Sequence, residues 1–130
     1  MAAPAGPRWV NGASVTIEGS GVSLAKRIEI AGDSASRRKG LLGRDHLDPD
    51  CGFVIAPSQG VHTFGMRFKI DIVAVARDGS VVKIRSHVAP RRIMIALSAF
   101  AIIELAAGVA QKAGVKVGDR LCVVASSKGP

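Results

Sequence analysis

The chain has no tyrosine and only five aromatic residues, Trp9, Phe53, Phe64, Phe68 and Phe100. That is poor material for the stacking platforms on which proteins lay single-stranded nucleic acid. Its two cysteines, Cys51 and Cys122, have seventy residues between them, and its three histidines are scattered. Neither arrangement has the spacing of a zinc site, so no metal is expected. A disulfide is arithmetically open, but two buried free thiols are the simpler reading. There is no glycine-rich phosphate fingerprint and no Gly-x-Ser-x-Gly nucleophile elbow, and no cofactor is implied. No apolar run reaches the roughly 18 residues of a membrane helix. The longest apolar patch, Ile93 to Val109, is broken by Ser98, Glu104 and Gly108. Membrane insertion is therefore not expected.

Acidic residues are also few, ten against eighteen basic ones, which leaves a net charge of +8. Such a balance suits an anionic partner, whether a small molecule or a protein. The basic residues are spread along the chain, with denser groups at Arg37-Arg38-Lys39 and at Lys83, Arg85, Arg91 and Arg92. A solvated basic face explains that spread better than a nucleic-acid site does. Salt-sensitive nucleic-acid binding is the least favoured of three functional classes.

At 130 residues, 48% of them apolar, the chain fits one domain able to bury its own core. Residues 1–12, with Pro4, Gly6, Pro7 and Gly12, read as a flexible tail in which Trp9 and Val10 dock. Residues 13–125 form the domain and 126–130 a loose end. The chain as it stands reads as cytoplasmic, a monomer or weak dimer, although a leader removed ahead of its start would leave no trace.

Alternation of apolar and polar residues predicts strands at Ala13–Glu18 and Val22–Ile30, joined through Gly19-Ser20-Gly21 as a hairpin. A short helix is expected from Asp33 or Ser34 to Leu42, stopped by Gly43. Further strands are expected at Gly52–Ala56, Gly60–Phe68, Ile70–Ala76, Ser80–Val88, Ala101–Leu105 and Arg120–Val124. Ile70–Ala76 is apolar on both faces and so central, and Asp78-Gly79 is a strong hairpin turn. Ile93–Phe100 reads as a loop with a short strand, and Ala106–Ala113 as a second short helix ending at Gly114. Without regular strand–helix alternation, the fold class is mainly β (α+β): a compact, largely antiparallel β-barrel or sandwich with two short helices.

The region from Gly60 to Gly79 breaks its own pattern, because His62, Thr63, Met66 and Asp71 interrupt segments that otherwise read as buried. Polar residues in such places either satisfy the fold or build a site. On an extended strand His62, Phe64 and Met66 share one face. His62 suits a general base, Asp71 its orienter, and Glu104, the only charge between Arg92 and Lys112, a general acid in an apolar wall. Thr63 and Met66 suit ligand contacts, and Arg37 or Arg44 suits the grip on an anion. Each has a structural counterpart: a core histidine bonded to backbone, a carboxylate clamping a turn or pairing with Arg44 or Arg67, an outward-facing Glu104, a packed methionine, solvated arginines.

A series of motifs then appears in a fixed order. It runs Ala35-Ser36-Arg37-Arg38-Lys39-Gly40-Leu41-Leu42-Gly43-Arg44, His62-Thr63-Phe64-Gly65-Met66, Ile70-Asp71, Asp78-Gly79-Ser80-Val81-Val82, Glu104-Leu105-Ala106-Ala107-Gly108 and Gly114-Val115-Lys116-Val117-Gly118-Asp119. The series resembles the ACR family, domain of unknown function 192, over roughly Ala25 to Val124. The resemblance implies a small β-rich domain and no particular activity. Many members carry a Trp-Met-Lys-Asn-type element where this chain has His-Thr-Phe-Gly-Met-Arg-Phe, so no role of that Trp or Asn carries over. The leading reading is a small ligand- or partner-binding domain with a cleft around the His-Thr-Phe-Gly-Met motif. The alternative is an enzyme built on His62, Asp71 and Glu104.

Overall fold

A computed structural model describes residues 6–31 and 44–125. The expected helix from Asp33 to Leu42, and Arg37 with it, lies outside the described residues.

Ten strands and one helix make up the described chain. Strands β1 (Ser14–Ile17), β2 (Ser23–Ala25) and β3 (Arg27–Ala31) come first, then β4 (Cys51–Ile55), β5 (Gly60–His62) and β6 (Ile70–Val75). They are followed by β7 (Val81–Val88), β8 (Ile93–Ile95), β9 (Ala101–Ala106), helix α1 (Val109–Ala113) and β10 (Leu121–Val124). The main sheet has the order β3-β4-β9-β6-β7; a second sheet has the order β10-β1-β2, and β5 and β8 form a separate two-stranded ribbon. Every ladder is antiparallel except β3 with β4. The fold is thus mainly β and largely antiparallel. It departs from expectation in that its sheets do not close into a barrel and one short helix, not two, lies among the described residues.

Side-chain alternation on the central strands sorts the core into two layers. From β6 and β9, Val73, Val75, Ala101, Ile103 and Leu105 join Val15, Leu24 and Leu121 in a cluster beneath the second sheet and α1. Ile70, Ile72, Ala74 and Ile102 point the other way, against Met94 and Ala96 of the ribbon. Beside them Phe53, Ile55 and Cys51 pack with Leu47. Val61, Met66 and Phe68 touch both clusters of this second face and bridge them. Each fully buried Ile, Leu or Val contributes roughly 1.5–3 kcal/mol of transfer free energy. A β6 buried at every position is the physical expression of its two-sided apolar sequence.

Two strand expectations need correction. The predicted Val22–Ile30 strand breaks at Lys26, so that β2 pairs with β1 while β3 leaves for the main sheet. The predicted Gly60–Phe68 strand stops at His62, and the next residues turn, with the Met66 amide donating to the Thr63 carbonyl at 3.2 Å. Gly65 sits at φ +85° within this turn, a conformation that glycine adopts without strain. Met66 consequently packs inward instead of sharing the outer face of His62. The Asp78-Gly79 hairpin stands as expected, with the Ser80 amide donating to Asp78 Oδ1 at 2.9 Å. That bond, with help from Arg120, holds the Asp78 carboxyl below its usual range. At the amino end Trp9 packs against the first core cluster while Val10 is 43% exposed.

Candidate functional site

The three residues considered for acid–base chemistry occupy three separate places. Asp71 lies on β6 with Val73 and Val75, on the face toward α1, and is fully buried. Its Oδ1 accepts the His87 amide at 2.8 Å, and its Oδ2 accepts the amides of Gly108 at 3.0 Å and Ala110 at 2.9 Å. Gly108 is the N-cap of α1 and Ala110 lies in its first turn, whose amides have no partner within the helix. Gly108 stands at φ +94°, a left-handed conformation that glycine adopts without strain. Asp71 therefore ties the end of β7 and the start of α1 to the central strand.

Glu104 sits on β9 opposite both Phe53 and Ile72, and points to the other face of the sheet. It is 5% exposed, and burial pushes its carboxyl up to about 7. No charge or hydrogen bond from a described residue offsets that burial. Asp71 and Glu104 are thus divided by the sheet itself. His62 lies beyond the second layer: Val61 points inward from β5, and His62 is exposed on the outside. Its Nδ1 accepts the Phe64 amide at 3.3 Å and its ring lies 5.7 Å from the Phe64 ring. No hydrogen bond joins it to Asp71 or Glu104.

Thr63 is buried, with 1% of its surface exposed. Its hydroxyl donates to the Ala89 carbonyl at 2.8 Å and accepts the Arg92 amide at 2.9 Å. Its own amide donates to the Arg92 carbonyl at 2.8 Å. The side chain pins β5 to the segment leading into β8. Thr63→Val keeps the shape but strands the Arg92 amide, so a loss of about 1–3 kcal/mol is expected in urea unfolding. An unfolding midpoint equal to that of the parent would show that this anchor carries no stability.

Arg44 pairs with Glu29 at 3.3 Å on the surface and borders an open depression of about 460 Å³ that Arg27, His46 and Cys51 also line. Arg27 Nη2 donates to Cys51 Sγ at 3.0 Å, and both cysteines are free. Among the described residues no group of three or more His, Cys, Asp or Glu is placed to hold a metal ion. No helix among them is long and apolar enough to cross a membrane.

The feature that sequence reasoning missed is the outer face of the ribbon. Ile93, Ile95 and Leu97 are 68%, 57% and 76% exposed, and Phe64 is 48% exposed. Met94 and Ala96, between them, are buried. At the ends of the ladder the Thr63 amide donates to the Arg92 carbonyl and the Ala96 amide to the Gln59 carbonyl, so His62–Ile93 and Gly60–Ile95 fall at the closely spaced positions between. Their side chains share the outer face. Phe64, His62, Ile93, Ile95 and Leu97 are thus all exposed along the ribbon, with the His62 and Phe64 rings side by side. The available signal was the run Ile93-Met94-Ile95-Ala96-Leu97, apolar at both parities.

Residues 14–123 match the family model described as uncharacterized ACR, domain of unknown function 192. The chain belongs to this ACR family. Two solved structures share its fold. One, from Novosphingobium aromaticivorans, is a protein of unknown function with 27% identity and a TM-score of 0.72, over 92% of this chain and 93% of that one. The other, from Sinorhizobium meliloti, was described as a suggested transcription regulator; at 24% identity and TM-score 0.71, over 88% of this chain and 96% of that one, it shows the fold alone. No curated protein matches the chain. The ACR family is one of unknown function, so the chemistry of this member rests on its own residues.

Proposed function

We propose that this ACR domain is a binding module whose working surface is the outer face of the β5–β8 ribbon, around the His-Thr-Phe-Gly-Met motif. One observation carries the reading: four large apolar side chains, Phe64, Ile93, Ile95 and Leu97, stand together in water on a single ribbon face. Clustered exposure of this kind marks an interaction site far more often than scattered exposure does. His62 supplies a polar, aromatic element at its centre. Thr63 and Met66 serve the surface from behind, by anchoring and packing the ribbon, and Asp71 serves the frame.

The test is a titration with anilinonaphthalene sulfonate, an apolar and anionic dye, followed by fluorescence and by amide shifts. The parent protein is expected to bind it with shifts centred on His62–Gly65 and Arg92–Leu97. The pair Ile93→Ser and Leu97→Ser should abolish the signal and leave the urea midpoint unmoved. Unchanged dye binding by the pair, or shifts confined to another surface, would end the proposal.

The enzymatic reading draws on Glu104 alone, since a carboxyl near neutrality can hold or release a proton under ordinary conditions. It requires Glu104→Gln to abolish a turnover in a protein at least as stable as the parent. Turnover surviving that change would remove it.

A further inference from the structure

From the charges around the ribbon face we infer that its partner is an acidic protein segment carrying apolar side chains. This rests on the binding reading above and adds the class of ligand. Between Asp78 and Glu104 the chain has no acidic residue and four basic ones, Lys83, Arg85, Arg91 and Arg92. That segment contains β7, β8 and the link between them. Lys83 Nζ donates to the Ile95 carbonyl at 2.8 Å, which brings β7 alongside β8 and caps an acceptor on the ribbon's free edge. Arg91 and Arg92 are exposed and run directly into Ile93.

Elsewhere on the described surface four basic side chains have carboxylate partners: Lys26 with Asp50, Arg44 with Glu29, Arg67 with Asp45 and Arg120 with Asp78. Beside the ribbon, Arg85, Arg91 and Arg92 have none among the described residues. The Arg92 guanidinium makes only 3.3 Å contacts to the Pro90 and Arg91 carbonyls. Exposed guanidinium groups without carboxylate partners thus adjoin the apolar surface where Arg91 and Arg92 lead into Ile93, and a ligand satisfying both must offer carboxylates next to apolar side chains. Planar guanidinium groups suit that role, since they grip carboxylates through paired hydrogen bonds.

Other occupants fit less well. A second copy of the chain docking face to face would offer no carboxylate from its own β7–β8 segment, at a net charge of +8 per chain. Nucleic acid would use the charges but leave Ile93, Ile95 and Leu97 without a role. A lipid surface would use both, yet the patch has neither Trp nor Tyr, the side chains that settle at headgroup depth.

The experiment is selection from a randomised peptide library displayed on phage, against the whole chain. The selected peptides are then synthesised with a fluorescent label and titrated at two salt concentrations. Enriched peptides are expected to combine Asp or Glu with Leu, Ile or Phe, and to shift the amides of His62–Gly65 and Arg92–Leu97. Ile93→Asp should weaken them by at least about tenfold. The pair Arg91→Ser and Arg92→Ser should weaken them on the order of tenfold and flatten the salt dependence. All three positions are exposed, so these changes leave folding intact, and an unchanged urea midpoint verifies it. Peptides that bind the ribbon without acidic residues, indifferent to the arginine pair, would overturn the inference and keep the binding reading. Enrichment only at another surface would overturn both. Stronger association with phosphatidylglycerol vesicles than with any selected peptide would also overturn the inference, and would make the ribbon a lipid contact.

Discussion

Asp71→Ala is expected to be among the most damaging single changes in this protein, with a loss of about 3–5 kcal/mol in urea unfolding. Three amides, from His87, Gly108 and Ala110, converge on its carboxylate at 2.8–3.0 Å in a site with no exposure. Truncation leaves all three donors without this acceptor, that of Ala110 buried and those of His87 and Gly108 partly so. It also frees His87, which holds φ +53°, a left-handed conformation that a non-glycine residue adopts at a cost. Asp71→Asn keeps one acceptor oxygen but turns an amide group toward amide donors, and about 2–4 kcal/mol is expected. Hydrogen exchange should localise the loss, with the amides of His87, Gly108 and Ala110 deprotected before those of β6. A carboxylate whose purpose was to orient a catalytic imidazole would behave otherwise: Asp71→Asn would leave stability intact and move the titration of His62. Loss of less than about 1 kcal/mol together with a displaced His62 titration would contradict the clamp.

The same residue shows how far a sequence reaches. That Asp71 interrupts a strand apolar on both faces is plain in the sequence, and the cost of an unpaired buried carboxylate demands partners for it. The partners are amides thirty-seven and thirty-nine residues downstream, at Gly108 and Ala110, and sixteen downstream at His87. Local pattern cannot supply them, because they depend on α1 folding back over β6. Ile70–Val75 as a central strand and the Asp78-Gly79 hairpin were legible because both are local: one is a run without polar alternation, the other a turn whose φ +95° falls on glycine. The change of sheet between β2 and β3 was hidden by parity. Leu24 and Ile28 share a register and a core cluster across the break, so alternation continues while the chain bends. The visible sign was Lys26, a charged residue at the apolar parity.

Exposure of the ribbon could not be read in the same way. An apolar run such as Ile93–Leu97 looks identical whether it is covered on both faces or on one. What leaves its outer face bare is that β5 and β8 form a layer of their own, with nothing from the described chain above them. Burial of Glu104 is non-local for the converse reason. β9 lies between β4 and β6 and is covered on both sides, so either orientation of that side chain would have been interior.

Glu104→Gln is therefore expected to raise stability relative to the parent as the pH is increased. Burial lifts the folded-state value from 4.5 to about 7. Below about pH 4.5 the carboxyl is protonated whether the chain is folded or not, and no penalty arises. Between about 4.5 and 7 the unfolded chain releases the proton while the folded chain retains it, so the unfolded state binds fewer protons and stability falls with pH. Above about 7 both states are ionised and the loss is complete, at about 3 kcal/mol for a displacement of this size. Glutamine cannot ionise, and whatever its amide costs in this apolar compartment is the same at every pH. The difference between the two unfolding curves should accordingly be flat below about pH 4.5, grow through 6, and level off near 8. Contributions common to both proteins cancel in the difference. Parallel curves across this range would mean that Glu104 is solvated or paired in its folded setting, and would take away the one observation that favours proton transfer. A difference that grows as described would establish a carboxyl half-protonated near neutrality beneath the ribbon. Only then would a search for a substrate on that side of the sheet be warranted.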